Sequence, residues 1–219
     1  MLKPIQAYVG DDAIKRLLAR YHCPMPFHAA RMRLWGAIAS PLPDCAPVAV
    51  LASLWHGNPP PFADTHAANA FFQDMMGFWN VLAGLQDGSP PLKLQKIDKL
   101  DSRDAMHAAA KLRVEELLDG FLKGFTYGQA ELDVPEGVSA RVHHVERAIE
   151  TIIGWRNTFA EPPKAEDAAM CAEFARQLPV IDAAVEDDLN AIAVAVKAWR
   201  APRPRPAPRK SKRSHGTLH

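Results

Sequence analysis

Three glycines four residues apart, Gly120, Gly124 and Gly128 in GFLKGFTYG, constrain this chain more than any other feature. Each costs a helix about 1 kcal/mol relative to alanine, and that cost is normally offset by packing. Positions i, i+4 and i+8 share one helix face, so these glycines leave a groove without side chains in which a second backbone can lie. The spacing predicts a close helix crossing at Gly120, Phe121, Gly124, Phe125 and Gly128, within one subunit or between two. Gly128 also suits the position just past a helix C-terminus, where a left-handed residue closes the last turn.

Apolar residues recur at helical steps almost throughout the chain. Residues 11 to 21 begin with Asp11 and Asp12, whose charge favours a helix N-terminus, and carry Ile14, Leu17 and Leu18. Residues 64 to 86 open at Asp64-Thr65, carry Phe71, Phe72, Met75, Met76, Trp79 and Leu82, and close at Gly88 before Pro90-Pro91. From Asp104 to about Tyr127, Leu117, Leu118, Phe121, Leu122 and Phe125 form an inward stripe, with Arg113 and Glu116 expected on the wet side. Val142, Val145, Ile149, Ile152 and Ile153 form another. Ile181, Val185, Leu189, Ile192, Val196 and Trp199 make a long final seam. Val48 to Leu51 is the one plausible β-branched run, and Pro47 fits the first turn of a helix there equally well. The pattern predicts an all-α, compact multi-helix bundle, with residues 58 to 61 and 88 to 91 as turns between helices.

The 219 residues are 48% apolar, enough for a packed domain. Charge is nearly balanced, 26 Lys+Arg against 25 Asp+Glu, but unevenly placed. Residues 200 to 219 hold Arg200, Arg203, Arg205, Arg209, Lys210, Lys212 and Arg213 and no acid; removing those seven from the 26 leaves 19 basic groups against 25 acidic. The same stretch sets Pro202, Pro204, Pro206 and Pro208 at alternate positions, which favours extended chain. The expected organisation is a helical domain over residues 1 to 199 and a disordered Pro/Arg-rich basic tail over 200 to 219. In that tail Arg203, Arg205, Arg209, Lys210, Lys212 and Arg213 are candidate contacts for RNA, DNA or an acidic surface. No apolar run approaches the length needed to cross a bilayer. With Asp11 and Asp12 interrupting the start, no secretory signal is visible, and a cytoplasmic address is expected. Cys23, Cys45 and Cys171 are scattered and odd in number, which reads as reduced, mostly buried thiols.

Chemistry-bearing motifs are few. The chain contains no G-x-x-x-x-G-K-[ST] loop, G-x-S-x-G elbow, H-E-x-x-H pair or G-x-G-x-x-G turn. His143 and His144 with Glu146 and Glu150 are the best metal candidate, because positions 143, 146 and 150 share a helical face. They fall short of the ligand sets of helical di-iron sites, and a partly exposed helix start accounts for them. His22, Cys23 and His28 lack a fourth ligand for structural zinc. Asp182, Glu186, Asp187 and Asp188 read as a solvated acidic face. No cofactor is expected, and a metal-dependent hydrolase centred on His143, His144, Glu146 and Glu150 is the alternative to a non-enzymatic protein.

Three stretches, RLWGAIASPLPDCAPVAVLASLWHG, FADTHAANAFFQDMMGFWNVLAGL and ELLDGFLKGFTYG, together resemble the YecA/YgfB-like family of bacterial helical proteins. Ala37, Pro41, Leu54-Trp55, Trp79-Asn80, and Gly120-Phe121-Leu122 with Gly124 occupy that family's pattern, over about residues 25 to 130. Arg33 stands where the family usually has glycine. Many relatives end in a cysteine-rich zinc module of the SEC-C type, whereas no cysteine follows Cys171 here. The resemblance implies an all-helical, often homodimeric, cytoplasmic bacterial protein that acts as a regulator or adaptor through protein partners. A ribosome- or RNA-associated role through the tail is a further reading.

Overall fold

A computed structural model describes residues 8–42, 45–129, 131–163 and 167–201. Among these the fold is all-α, with no strand: α1 (Asp11–Arg20), α2 (Phe27–Ala39), α3 (Pro47–Ser53), α4 (Thr65–Gly84), α5 (Arg103–Val114), a π-helical segment (Glu115–Leu122), α6 (Lys123–Thr126), α7 (Val138–Ala160) and α8 (Asp167–Arg200). No helix among them is long and apolar enough to cross a membrane. The tail residues Arg203, Arg205, Arg209, Lys210, Lys212 and Arg213 lie outside the described residues.

Local chemistry sets the helix ends where the sequence places them. The Asp64 carboxylate accepts from the Ala67 N–H and caps α4. Leu85–Asp87 tightens into a 3-10 turn, and Gly88 closes it at φ 71°. Ser102 caps α5 through the Ala105 N–H. The ambiguous run at Val48 to Leu51 is helix, with Pro47 in its first turn.

The core is built around α2. Ala29, Ala30, Met32, Leu34, Trp35, Ala37, Ile38 and Ala39 are all at most 5% exposed, so neighbours surround the helix on every side. Ala29, Ala30, Ala37 and Ala39 allow close approach, while Met32, Leu34, Trp35 and Ile38 fill the space between neighbours. Around α2 lie Phe71, Phe78, Leu117, Phe121, Phe125 and the inward seam of α8, Val185, Leu189, Ile192 and Val196. The same core extends between α7 and α8, where Trp155 and Phe159 both stand edge-on to Phe174 with ring centroids 5.0 Å apart.

Two expectations are corrected. Arg113 and Glu116 are not on a wet side: they are 2% and 0% exposed. The acids of α8 are only partly a solvated face. Asp182 takes both the Nε and Nη2 donors of Arg113, at 2.8 and 2.7 Å, and Glu116 takes Nη1 at 2.5 Å. Glu186 accepts from the Leu94 N–H at 2.9 Å, and Asp188 is 9% exposed beside Arg141. Asp187 remains exposed as expected. The cysteines are half-buried and free.

The extended segment from Leu92 to Gln95 engages two of these acids, Glu186 and Glu116. Leu92 and Leu94 point inward, 1% and 7% exposed, while Lys93 and Gln95 are exposed, the alternation of a strand. Among the described residues no strand lies beside it, so its backbone N–H groups need other acceptors. Asn190 Oδ1 serves Leu92, Glu186 Oε1 serves Leu94 and Glu116 Oε1 serves Gln95, at 2.8 to 2.9 Å. Asp182, Glu186 and Asn190 stand at i, i+4 and i+8 along α8, one edge given over to holding neighbouring elements.

Candidate functional site: the cleft above the glycine crossing

The chain continues helically from Arg103 to Thr126, but from Glu115 to Leu122 its hydrogen bonding is π-helical. Such segments are rare and recur at functional sites. This one lies against α2 in the most extensive helix contact among the described residues. A Cβ on Gly120 would sit 2.6 Å from Met32 Cβ and 2.9 Å from the Ala29 carbonyl oxygen. One on Gly124 would overlap the Arg33 carbonyl oxygen, and one on Gly36 would overlap that of Phe121. Glycines from both sides thus let two backbones touch. Phe121 and Phe125, both buried, stack with centroids 5.6 Å apart beside the contact.

The crossing predicted at Gly120 and Gly124 is therefore present, and its partner is the chain's own α2. Gly128 is not part of it: a Cβ there would meet nothing within 4 Å, and its φ of 80° closes the turn after α6. The groove reading of Gly128 is replaced by its role as a left-handed turn residue. Gly36 passed unnoticed in the sequence because it stands alone among alanines instead of in a spaced series.

Above the crossing, α2 and the π-helical segment part to leave a cleft of about 330 Å³. Pro24, Met25, Pro26 and Ala29 line one side, Ser53, Leu54 and His56 close it, and Glu115, Asp119 and Lys123 border the other. The far wall is a pair of loops tied by Trp55 Nε1 donating to the Tyr21 carbonyl at 2.8 Å and Cys23 Sγ donating to the Leu54 carbonyl at 3.6 Å. Each of these loops carries a histidine in the left-handed region, His22 at φ 50° and His56 at φ 57°. Burial pushes the Cys23 thiol up, which disfavours the nucleophilic thiolate. Ser53 Oγ donates to the Val50 carbonyl at 2.6 Å. The wall is suited to contact more than to covalent chemistry.

Arg33 stands out among the charges of this cleft. Its Nε donates to the Asp119 carbonyl at 2.9 Å, and burial holds its guanidinium below the usual arginine range, with Asp119 opposing. The two acids have partners of their own: Asp119 is paired with Lys123 at 2.5 Å, and Glu115 is hydrogen-bonded to His28 at 2.8 Å with Lys111 at 3.8 Å.

His143, His144, Glu146 and Glu150 all border one shallow surface hollow on α7. His143 Nδ1 and Glu146 pair at 2.8 Å on an exposed face, while the nearest ionic partner of His144 is Asp188 at 3.6 Å. His28 is engaged with Glu115, and Cys23 with the Leu54 carbonyl. Among the described residues no group of three or more His, Cys, Asp or Glu side chains is placed to hold a metal ion. No family model, no curated protein and no solved structure matches the chain.

Proposed function

We propose that the protein is a non-enzymatic regulatory or adaptor protein that acts in the bacterial cytoplasm through contacts with a protein partner. The observation that carries this reading is the outward face of α8. Val180, Ala184, Asp187, Ala191, Val194 and Ala198 follow one another at steps of 4, 3, 4, 3 and 4, the spacing of a helix-pairing seam. Val180 and Val194 are 68% and 44% exposed, and a single charge interrupts the stripe. Exposed apolar stripes of this kind suit protein interfaces. Membership of the YecA/YgfB-like family belongs to the same proposal. Its support is that Ala37 and Gly120-Phe121-Leu122 with Gly124, quoted for the resemblance, belong to one packing unit at the α2 crossing.

The basic tail serves in this reading as an auxiliary anchor for nucleic acid or an acidic surface. The test is capture from native bacterial lysate by the tagged full chain and by its Val194→Arg variant, with and without nuclease. A defined protein set, resistant to nuclease and lost with Val194→Arg at an unchanged melting temperature, is the expected result. A set retained by the variant contradicts the seam. A set lost to nuclease moves the function to the tail; there, about five RNA contacts give a salt slope near −3.5 on logarithmic axes.

A further inference from the structure

We propose that the cleft bordered by Arg33 is a binding site for a monocarboxylate carried on a small apolar body. Arginine presents a planar fork of donors that matches a carboxylate bidentately. Among the described residues, Arg33 spends only Nε on the protein, on the Asp119 carbonyl, so its two terminal nitrogens remain for a ligand. Its guanidinium is already partly desolvated by its surroundings, which strengthens a charge-assisted bond made there. The apolar body has its own surface in Met25, Pro26 and Leu54. At about 330 Å³ the cleft lies at the lower end of the range for small-ligand sites.

Charge decides between anion classes. Glu115 and Asp119 border the same cleft, and the lysines beside them are already engaged, Lys111 with Glu115 and Lys123 with Asp119. One extra negative charge beside Arg33 is matched; the second charge of a phosphate monoester would face two carboxylates with no cation left over. A monocarboxylate therefore fits better than a phosphate. Such a group comes from a free organic acid or from the C-terminus of a peptide, and the test separates the two. The inference stands independently of the α8 seam.

The purified full chain is titrated calorimetrically with phenylbutyrate, its neutral amide and phenyl phosphate. Saturable binding of the acid, at least about tenfold tighter than the amide or the phosphate, is expected. Arg33→Lys, which keeps the charge but loses the fork, should weaken the acid by about tenfold. Amide shifts in the NMR spectrum of the unaltered chain should cluster at Ser53, His56 and Asp119, a readout independent of whether the variant folds. A peptide ending in Phe with a free carboxylate, compared with its amidated form, identifies the source: tighter than phenylbutyrate points to a chain terminus, weaker to a free acid. Equal binding of acid and amide, preference for the phosphate, shifts elsewhere, or no saturable binding up to about 10 mM overturns the assignment.

Discussion

The two joints that hold the core together are made by opposite means. Where α2 meets the π-helical segment, side chains are removed: Gly36, Gly120 and Gly124 let carbonyl groups of one element approach the backbone of the other. Where α8 meets α5 and the Leu92 to Gln95 segment, side chains do the joining, through Asp182, Glu186, Asn190, Arg113 and Glu116. The first joint tolerates no added atom. The second tolerates no missing partner, because Arg113 and Glu116 have given up water for other protein groups. A single domain thus contains one contact sensitive to volume and one sensitive to charge.

The charge-sensitive joint should show the largest effect. Arg113→Met leaves Glu116 and the partly buried Asp182 without their shared cation, a loss of about 3 to 5 kcal/mol in chemical denaturation. Arg113→Lys should recover only part of it, since one ammonium cannot serve both carboxylates with three fixed donors. Stability unchanged in Arg113→Met would mean that the interior groups are hydrated.

Next comes Gly36→Ala in the volume-sensitive joint. The new methyl group overlaps the Phe121 carbonyl and lies 2.8 Å from the Phe125 nitrogen, both backbone atoms that move only with their helix. Overpacking of this kind costs about 1 to 3 kcal/mol, more than the helix propensity gained. A variant as stable as the parent would show that α2 can withdraw without penalty.

A smaller effect distinguishes the joints by pH. Burial pushes the Glu116 carboxyl above its ordinary value of 4.5, with Arg113 and the Gln95 N–H opposing. The folded state therefore holds this proton more tightly than the unfolded chain. Its contribution is fully present below the unfolded value and is lost as pH rises through the raised folded value. Relative to Glu116→Gln, the parent should gain stability on acidification from neutral pH toward 4.5, whereas Gly36→Ala should show the parent's own pH dependence. Parallel pH curves for parent and Glu116→Gln would contradict the raised carboxyl.

How far the sequence reveals each joint follows from its chemistry. The glycine crossing was legible because removing side chains leaves a spaced signature at Gly120 and Gly124, although the π-helical hydrogen bonding and the solitary Gly36 left none. The polar joint was hidden. Asp182, Glu186 and Asp188 have the composition of a wet face, and the donors that make them acceptors, the Arg113 guanidinium, the Leu94 N–H and Arg141, all come from distant parts of the chain. Arg113 and Glu116, three residues apart on one helix, look like a surface pair until Asp182 arrives from 69 residues away. The helices themselves were readable from apolar spacing and from Asp64 and Gly88. The cleft was not, since Arg33, His56 and Asp119 are distant in sequence and share no motif.

The central claim is that the glycine crossing is a close backbone contact within one chain, and a matched pair of variants tests it. In Gly124→Ala the added methyl group overlaps the Arg33 carbonyl, while in Gly154→Ala, on the open face of α7, it meets nothing within 4 Å. Thermal unfolding with light scattering should give a lower melting temperature for Gly124→Ala and a rise corresponding to about 0.5 to 1 kcal/mol for Gly154→Ala, both at the parent's mass. Two equal rises would contradict the contact, and a drop in mass on Gly124→Ala would place it between subunits instead of within one.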